Sequence, residues 1–141
     1  MALAWTDSLN NIDWAELSAL YQAAGMGLKQ PDDLATAFAN SRYRCFVFEA
    51  GQLIGAGRAL ADGVDCSYLC DIAVRPADQG RGLGRQIVGR LVDCSRQYRK
   101  IILYAVPGKE DFYGQFGFRR MSTAMAIFEN PADAEARGLL R

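Results

Sequence analysis

Histidine is absent from this chain of 141 residues. Its absence excludes Ser-His and Cys-His nucleophile systems and every metal site built on imidazole. Proton transfer is left to carboxylates, tyrosine, lysine, cysteine or water. Cysteine is sparse: the four residues, at positions 45, 66, 70 and 94, lack metal-ligand or redox spacing. Free buried thiols are the expectation for all four, and no metal is expected. Neither sign of charge prevails, because sixteen basic residues face sixteen acidic ones. Without a global basic field, nucleic acid is not an expected partner. No apolar run approaches the length of a membrane span. The start, Met1 to Asp7, has neither a basic cluster nor a long apolar stretch, so neither a signal peptide nor a membrane partner is expected. A cytoplasmic location is the resulting expectation.

What is present reads as one globular domain over residues 1–141. Half the residues are hydrophobic and 23% are charged, enough apolar material for a real core. Periodicity and turn signals give the order β-α-α-β-β-β-α-β-α-β, a mixed α/β sheet. Residues 3–6 suit a short first strand, and apolar positions recur at helical spacing from Asp13 to about Ala24. Pro31-Asp32-Asp33 looks like a first helical turn. Strands over 43–48 and 53–60 form a hairpin, and a central strand covers 66–74. A helix then runs to about Ser95, a strand over 100–106, and a short helix over 109–116. Residues 118–128 read as a last strand pair or one bent strand, and 130–141 as a tail of uncertain order.

The central strand ends in a glycine-dense turn, Gln79-Gly80-Arg81-Gly82-Leu83-Gly84. Downstream, Leu83, Ile87, Val88, Leu91 and Val92 follow helical spacing. Glycines at a helix start let backbone amides converge without Cβ obstruction, and the positive dipole end favours an anionic phosphate. Basic residues cluster nearby: Arg75, Arg81, Arg85, Arg90, Arg96, Arg99 and Lys100. They suit a solvated surface and a phosphate ligand equally. A nucleotide P-loop would need a Lys-Ser/Thr pair that is missing. A dinucleotide loop would need a third glycine where Arg85 stands, and an acid about 20 residues on.

The segment instead resembles the Gln/Arg-x-x-Gly-x-Gly/Ala signature of the GNAT family of N-acetyltransferases, with Gln79, Gly82 and Gly84 in its fixed positions. Phe112-Tyr113-Gly114-Gln115-Phe116-Gly117-Phe118 resembles the family's late Phe-Tyr-x-x-x-Gly-Phe motif, in the usual order and at about the usual distance. The likeness covers about residues 40–128 and is closest to small bacterial members and plant arylalkylamine-type relatives.

The resemblance implies a mixed sheet with helices on both faces and acetyl-CoA as cosubstrate. Backbone groups of Ile72, Ala73 and Val74 would hold the pantetheine arm. Amides of Gln79, Gly80, Arg81, Gly82, Leu83, Gly84 and Arg85 would hold the pyrophosphate. Tyr113 would protonate the departing thiolate. An alkylamine of pKa about 10.4 must lose a proton before attack, and Asp71 is the first candidate base. A carboxylate in so apolar a strand must face solvent, a cavity or a partner; an ion pair with Arg58 is the equal alternative. Tyr68 and Asp62 are further candidates. Val106 departs from the family, which often carries Asn or Asp there. Trp14, Tyr21, Met26, Tyr68 and Met125 are candidate acceptor-lining residues, favouring a small amine with an apolar body. A protein lysine or N-terminus, or a CoA-binding regulatory module without transfer, remains open, as does a homodimer.

Overall fold

The computed structural model describes residues 2–141 and resolves them into two compact units, the first ending at Leu103 and the second running from Tyr104 to Arg141. The first unit contains β1 (Leu3–Thr6), α1 (Trp14–Ala23), α2 (Pro31–Ala39), β2 (Tyr43–Glu49), β3 (Gln52–Ala61), β4 (Cys66–Val74), α3 (Leu83–Cys94) and β5 (Lys100–Ile102). Its sheet has the order β1-β2-β3-β4-β5. The first four strands pair antiparallel, and β5 joins β4 in parallel.

Local chemistry explains the boundaries. Asp13 caps α1 by accepting from the amides of Ala15 and Glu16. Pro31 opens α2, where a missing N–H costs nothing. Ala50 and Gly51 both have positive φ, 52° and 77°, which lets a two-residue turn join β2 to β3 with the twist of the strands.

Alternation along β3 sends successive residues to opposite faces. On one face Ala56 lies with Leu17, Leu20, Tyr21, Leu34, Phe38 and Phe46 beneath α1 and α2. On the other, Gly55 and Gly57 lie under α3. A Cβ on Gly57 would sit 2.8 Å from Ile87 Cγ2 and 3.1 Å from Leu91 Cδ1. The missing side chains let α3 settle against the sheet, burying Leu83, Ile87, Val88, Leu91 and Val92.

Several sequence expectations need correction. The strand expected over 100–106 stops at Ile102, because its ladder with β4 ends at Tyr68↔Ile102. Among the described residues, 118–128 form no strand. Alternation gives the pattern of a strand, but only a neighbouring ladder makes one. Here Met125 and Ile127 are fully exposed, at 96% and 103%, while Phe128 packs edge-on against Tyr104. The tail, whose order the sequence left open, contains a helix, α5 (Pro131–Ala136), preceded in this unit by α4 (Glu110–Gly114). Asn130 caps α5 and Pro131 opens it, a start signal present in the sequence. Of the four cysteines expected to be buried, Cys45 is buried, Cys66 and Cys70 are half-buried and Cys94 is exposed. No helix of the described residues is long and apolar enough to cross a membrane.

Gly57→Ala is expected to cost about 1–3 kcal/mol through overpacking against Ile87, read as a lower midpoint in chemical denaturation. An unchanged midpoint would show that α3 does not depend on this close approach.

Candidate active site

β4 supplies the core of the site through two irregularities. Below Ala56↔Ala73 the register with β3 slips, and the next pair is Arg58↔Cys70. Gly57 therefore faces two residues, Asp71 and Ile72, in a bulge. Asp71 takes φ +55°, an uncommon conformation for a residue with a Cβ. Side-chain contacts hold it there. Tyr21 Oη donates to the Asp71 carbonyl at 2.6 Å, and Arg58 Nε donates to Asp71 Oδ2 at 2.8 Å. Lys29 Nζ stands 3.7 Å from Asp71 Oδ1 and 5.8 Å from the centre of the Tyr21 ring. Burial first, then the Asp71 charge, raises the Tyr21 phenol well above its ordinary value; it therefore stays a hydrogen-bond donor.

The second irregularity is the departure of β5. Beyond Tyr68↔Ile102, one edge of β4 runs from Leu69 to Val74 without a partner strand among the described residues. That edge carries backbone groups without a strand partner, the Asp71 and Val74 carbonyls accepting from Tyr21 and Gln79, spaced for an extended, amide-containing chain. It leads through a 3-10 turn at Pro76–Asp78 into the glycine loop.

Gly80 and Gly82 adopt φ +84° and +79°, with nothing within 4 Å of a Cβ at either position. Backbone conformation, rather than crowding, accounts for glycine there. Gly82 caps α3 without a side-chain acceptor, and the first helical bond is from Gln86 N–H to the Gly82 carbonyl. The amides of Leu83, Gly84 and Arg85 thus have no acceptor within the helix. They leave a helix start with free donors and a positive dipole end, chemistry suited to an anion, at the end of the open β4 edge.

An ionic network ties the loop to the β2–β3 hairpin. Arg75 and Arg81 both hold Asp78, at 2.6 and 2.7 Å, and Arg81 also binds Glu49 at 2.7 Å. Arg75 reaches Gln52 at 2.8 Å. The Arg75 hydrogen bond, reinforced by Arg81, keeps the Asp78 carboxyl below its usual range; the Arg81 hydrogen bond does the same for Glu49. With its guanidinium engaged twice, Arg81 offers a ligand chiefly its amide. Gln79 donates its carboxamide to the Val74 carbonyl at 3.1 Å, closing the turn, while the Arg85 side chain is exposed.

The sequence reading left Asp71 between a base and an ion pair with Arg58, and the pair with Arg58 is present. It missed Lys29 there, and it missed Glu49 and Gln52 as anchors of the loop. Only hairpin register brings those two close, so no local signal marks them. Asp62 is a turn residue: its carboxylate accepts from the amides of Val64, Asp65 and Cys66. Tyr21 belongs to the core, Trp14 and Met26 pack against that core, and Tyr68 is half-buried. In the second unit, Tyr113 is half-buried on α4, edge-on to Phe112 and Phe118. Burial raises its phenol above the ordinary value, so it is protonated at neutral pH.

The sequence model of the acetyltransferase (GNAT) domain matches residues 21–127, spanning the bulged strand, the glycine loop and Tyr113. This chain belongs to the GNAT family. Among curated relatives, serotonin N-acetyltransferase 2 of rice is 32% identical over 117 residues, covering 79% of this chain and 58% of that protein. An N-acetyltransferase (ycf52-like) of Prochlorococcus marinus is 27% identical over 116 residues, covering 78% of this chain and 64% of its own. This GNAT chain thus spans less than two thirds of the length of either protein. In fold, a probable acetyltransferase of Staphylococcus aureus superimposes with TM-score 0.80 at 24% identity, over 90% of this chain and 99% of that one.

Gly82→Ala would force a Cβ into the left-handed region at a cost of about 1–2 kcal/mol. Acetyl-CoA affinity is expected to fall about five- to thirtyfold by calorimetry, and full affinity in a folded variant would remove the loop from phosphate binding. The loop network also has a pH signature. Because the Asp78 pKa is depressed, its stabilisation is present above the unfolded value of about 3.9 and is lost as pH falls through the folded value. The melting difference between wild type and Asp78→Asn is expected to stay constant from neutral pH to about pH 5 and to close in stronger acid. A difference that persists there would show that ion pairing is not its source.

Proposed function

We propose that this protein transfers an acetyl group from acetyl-CoA to the primary amine of a small molecule. The observation that carries the reading is the open edge of β4 running into a left-handed glycine loop and the uncapped start of α3, in a chain of the GNAT family. In this reading Ile72, Ala73 and Val74 pair with the pantetheine amides. Backbone amides from Gln79 to Arg85 receive the pyrophosphate.

The chemistry follows from what a thioester needs. The neutral amine attacks the carbonyl carbon, a C–N bond forms, and the C–S bond breaks from the tetrahedral intermediate. Asp71 accepts the proton lost by the amine, directly or through water. Its Oδ2 is committed to Arg58, but Oδ1 is 3.7 Å from Lys29, beyond hydrogen-bond length, and remains the accepting atom. Tyr113 donates its phenolic proton to the departing thiolate.

Charge around Asp71 bears on the acceptor. Arg58 and Lys29 surround one carboxylate, leaving a local excess of positive charge that disfavours polyamines and lysine-rich peptides. An amine with a single charge and an apolar body suits that field. The name of the rice relative, a serotonin N-acetyltransferase, supports the same class.

Tyr113→Phe is expected to keep acetyl-CoA affinity while lowering kcat by about 10²–10⁴-fold, measured by CoA release with an arylalkylamine acceptor. Asp71→Asn is expected to lose activity at neutral pH and to recover it towards pH about 10, where the amine is already neutral. A pH profile parallel to wild type would end the assignment of Asp71 as base.

A further inference from the structure

The chain has three lysines, at positions 29, 100 and 109. Lys100 and Lys109 are exposed, and Lys100 bridges to Asp65. Lys29 differs, because its head group turns inwards to the strained bend of β4. Local chain chemistry explains this. Gly25 and Gly27, with φ of +83° and +80°, turn the chain after α1. The hydroxyl of buried Ser18 then donates to the Lys29 carbonyl, and Pro31 opens α2 two residues on. With the backbone fixed there, Lys29 Nζ stands 5.8 Å from the centre of the buried Tyr21 ring and 3.7 Å from Asp71 Oδ1.

Asp71 does not need this second cation. Arg58 Nε already meets its Oδ2 at 2.8 Å, and the Lys29 contact is too long for a hydrogen bond. What the placement does supply is a primary amine beside the atom that takes the acceptor's proton in the proposed transfer. The Lys29 side chain is 30% exposed, and its flexible four-carbon stem allows the further approach of ~0.5–1 Å that proton transfer needs.

We infer that Lys29 is an internal acceptor, so that the protein acetylates its own Nζ. The inference rests on the proposed transfer reading, with Asp71 as base. Nζ gives one proton to Asp71 Oδ1, which passes it to water. The freed lone pair forms a C–N bond to the thioester carbonyl carbon. The C–S bond breaks, and the thiolate takes the second proton that the nitrogen loses on becoming an amide. The products are N-acetyl-lysine and free CoA. Acetylation removes one positive charge and leaves Arg58 and Asp71 as a balanced pair. It also puts an acetamide where an external amine would approach Asp71. Self-acetylation thus acts as a brake when acetyl-CoA is plentiful and acceptor is scarce.

Peptide mapping by mass spectrometry, after incubation with acetyl-CoA alone, tests this. Lys29 is expected to gain an acetyl group at least about tenfold faster than Lys100 and Lys109, which report uncatalysed acetylation of exposed amines. The rate per molecule should not change when the protein is diluted at fixed acetyl-CoA, as an intramolecular step requires. An arylalkylamine acceptor should slow labelling of Lys29, and Asp71→Asn should slow it about 10²–10⁴-fold. The wild-type map and dilution series decide the matter even where Asp71→Asn fails to fold. Preincubation with acetyl-CoA should remove most of the later turnover in the wild type but not in Lys29→Arg, which keeps the charge without the amine. Equal loss in both would overturn the braking role. CoA release to the arylalkylamine with Lys29 labelled no faster than Lys100 and Lys109 would overturn the inference and leave the transfer reading intact. No release to that amine and no label on Lys29 would overturn both.

Discussion

The close approach of α3 to β3 is the constraint on which the rest of this protein depends. Two glycines, Gly55 and Gly57, remove the side chains that would hold Ile87 and Leu91 away. With α3 seated on the sheet, its N-terminus stands at the end of β4, where the loop must turn. Free amides and a positive helix end therefore meet a strand whose edge is open. No single residue of the loop makes an anion site by itself. The arrangement supplies what such a site needs, a dipole and donors ordered in advance, and order of that kind lowers the entropic cost of binding.

Charge is used around this frame in two distinct ways. Arg75, Asp78, Arg81 and Glu49 form a chain that fastens the loop to a hairpin. Partly solvated pairs of this kind add little stability individually; their value here is to limit the conformations open to the loop. Arg58, Lys29 and Asp71 sit at a strained bend in β4. There the ion pair and the Tyr21 hydrogen bond offset a backbone conformation that an isolated strand would abandon. A strained residue held by several contacts beside an open strand edge is a familiar sign of function.

Sequence and structure agree most where the signal is local. The αL glycines at 80 and 82, the apolar stripe of α3, the cap of α1 and the Asp62 turn all depend on neighbours within a few residues. Disagreement concentrates where pairing decides. Residues 103–106 are as β-prone as 100–102, yet only the latter find a ladder on β4. Residues 118–128 alternate like a strand, but alternation says nothing about whether an edge is available. The start signal Asn130-Pro131 was legible but was outweighed by the charge-rich composition of the last twelve residues.

The sequence by itself determined the family, the glycine-dense loop, the protonated tyrosine and the exclusion of imidazole chemistry. Each rests on residue identity or short spacing, which folding does not alter. Only the tertiary structure decided that Asp71 lies in a bulge held by Tyr21, Arg58 and Lys29, that Arg81 is tied to Glu49, and that Arg90 stacks on Trp5. Those contacts join residues from 13 to 85 positions apart. Their formation depends on sheet register and helix packing, and no local pattern encodes either.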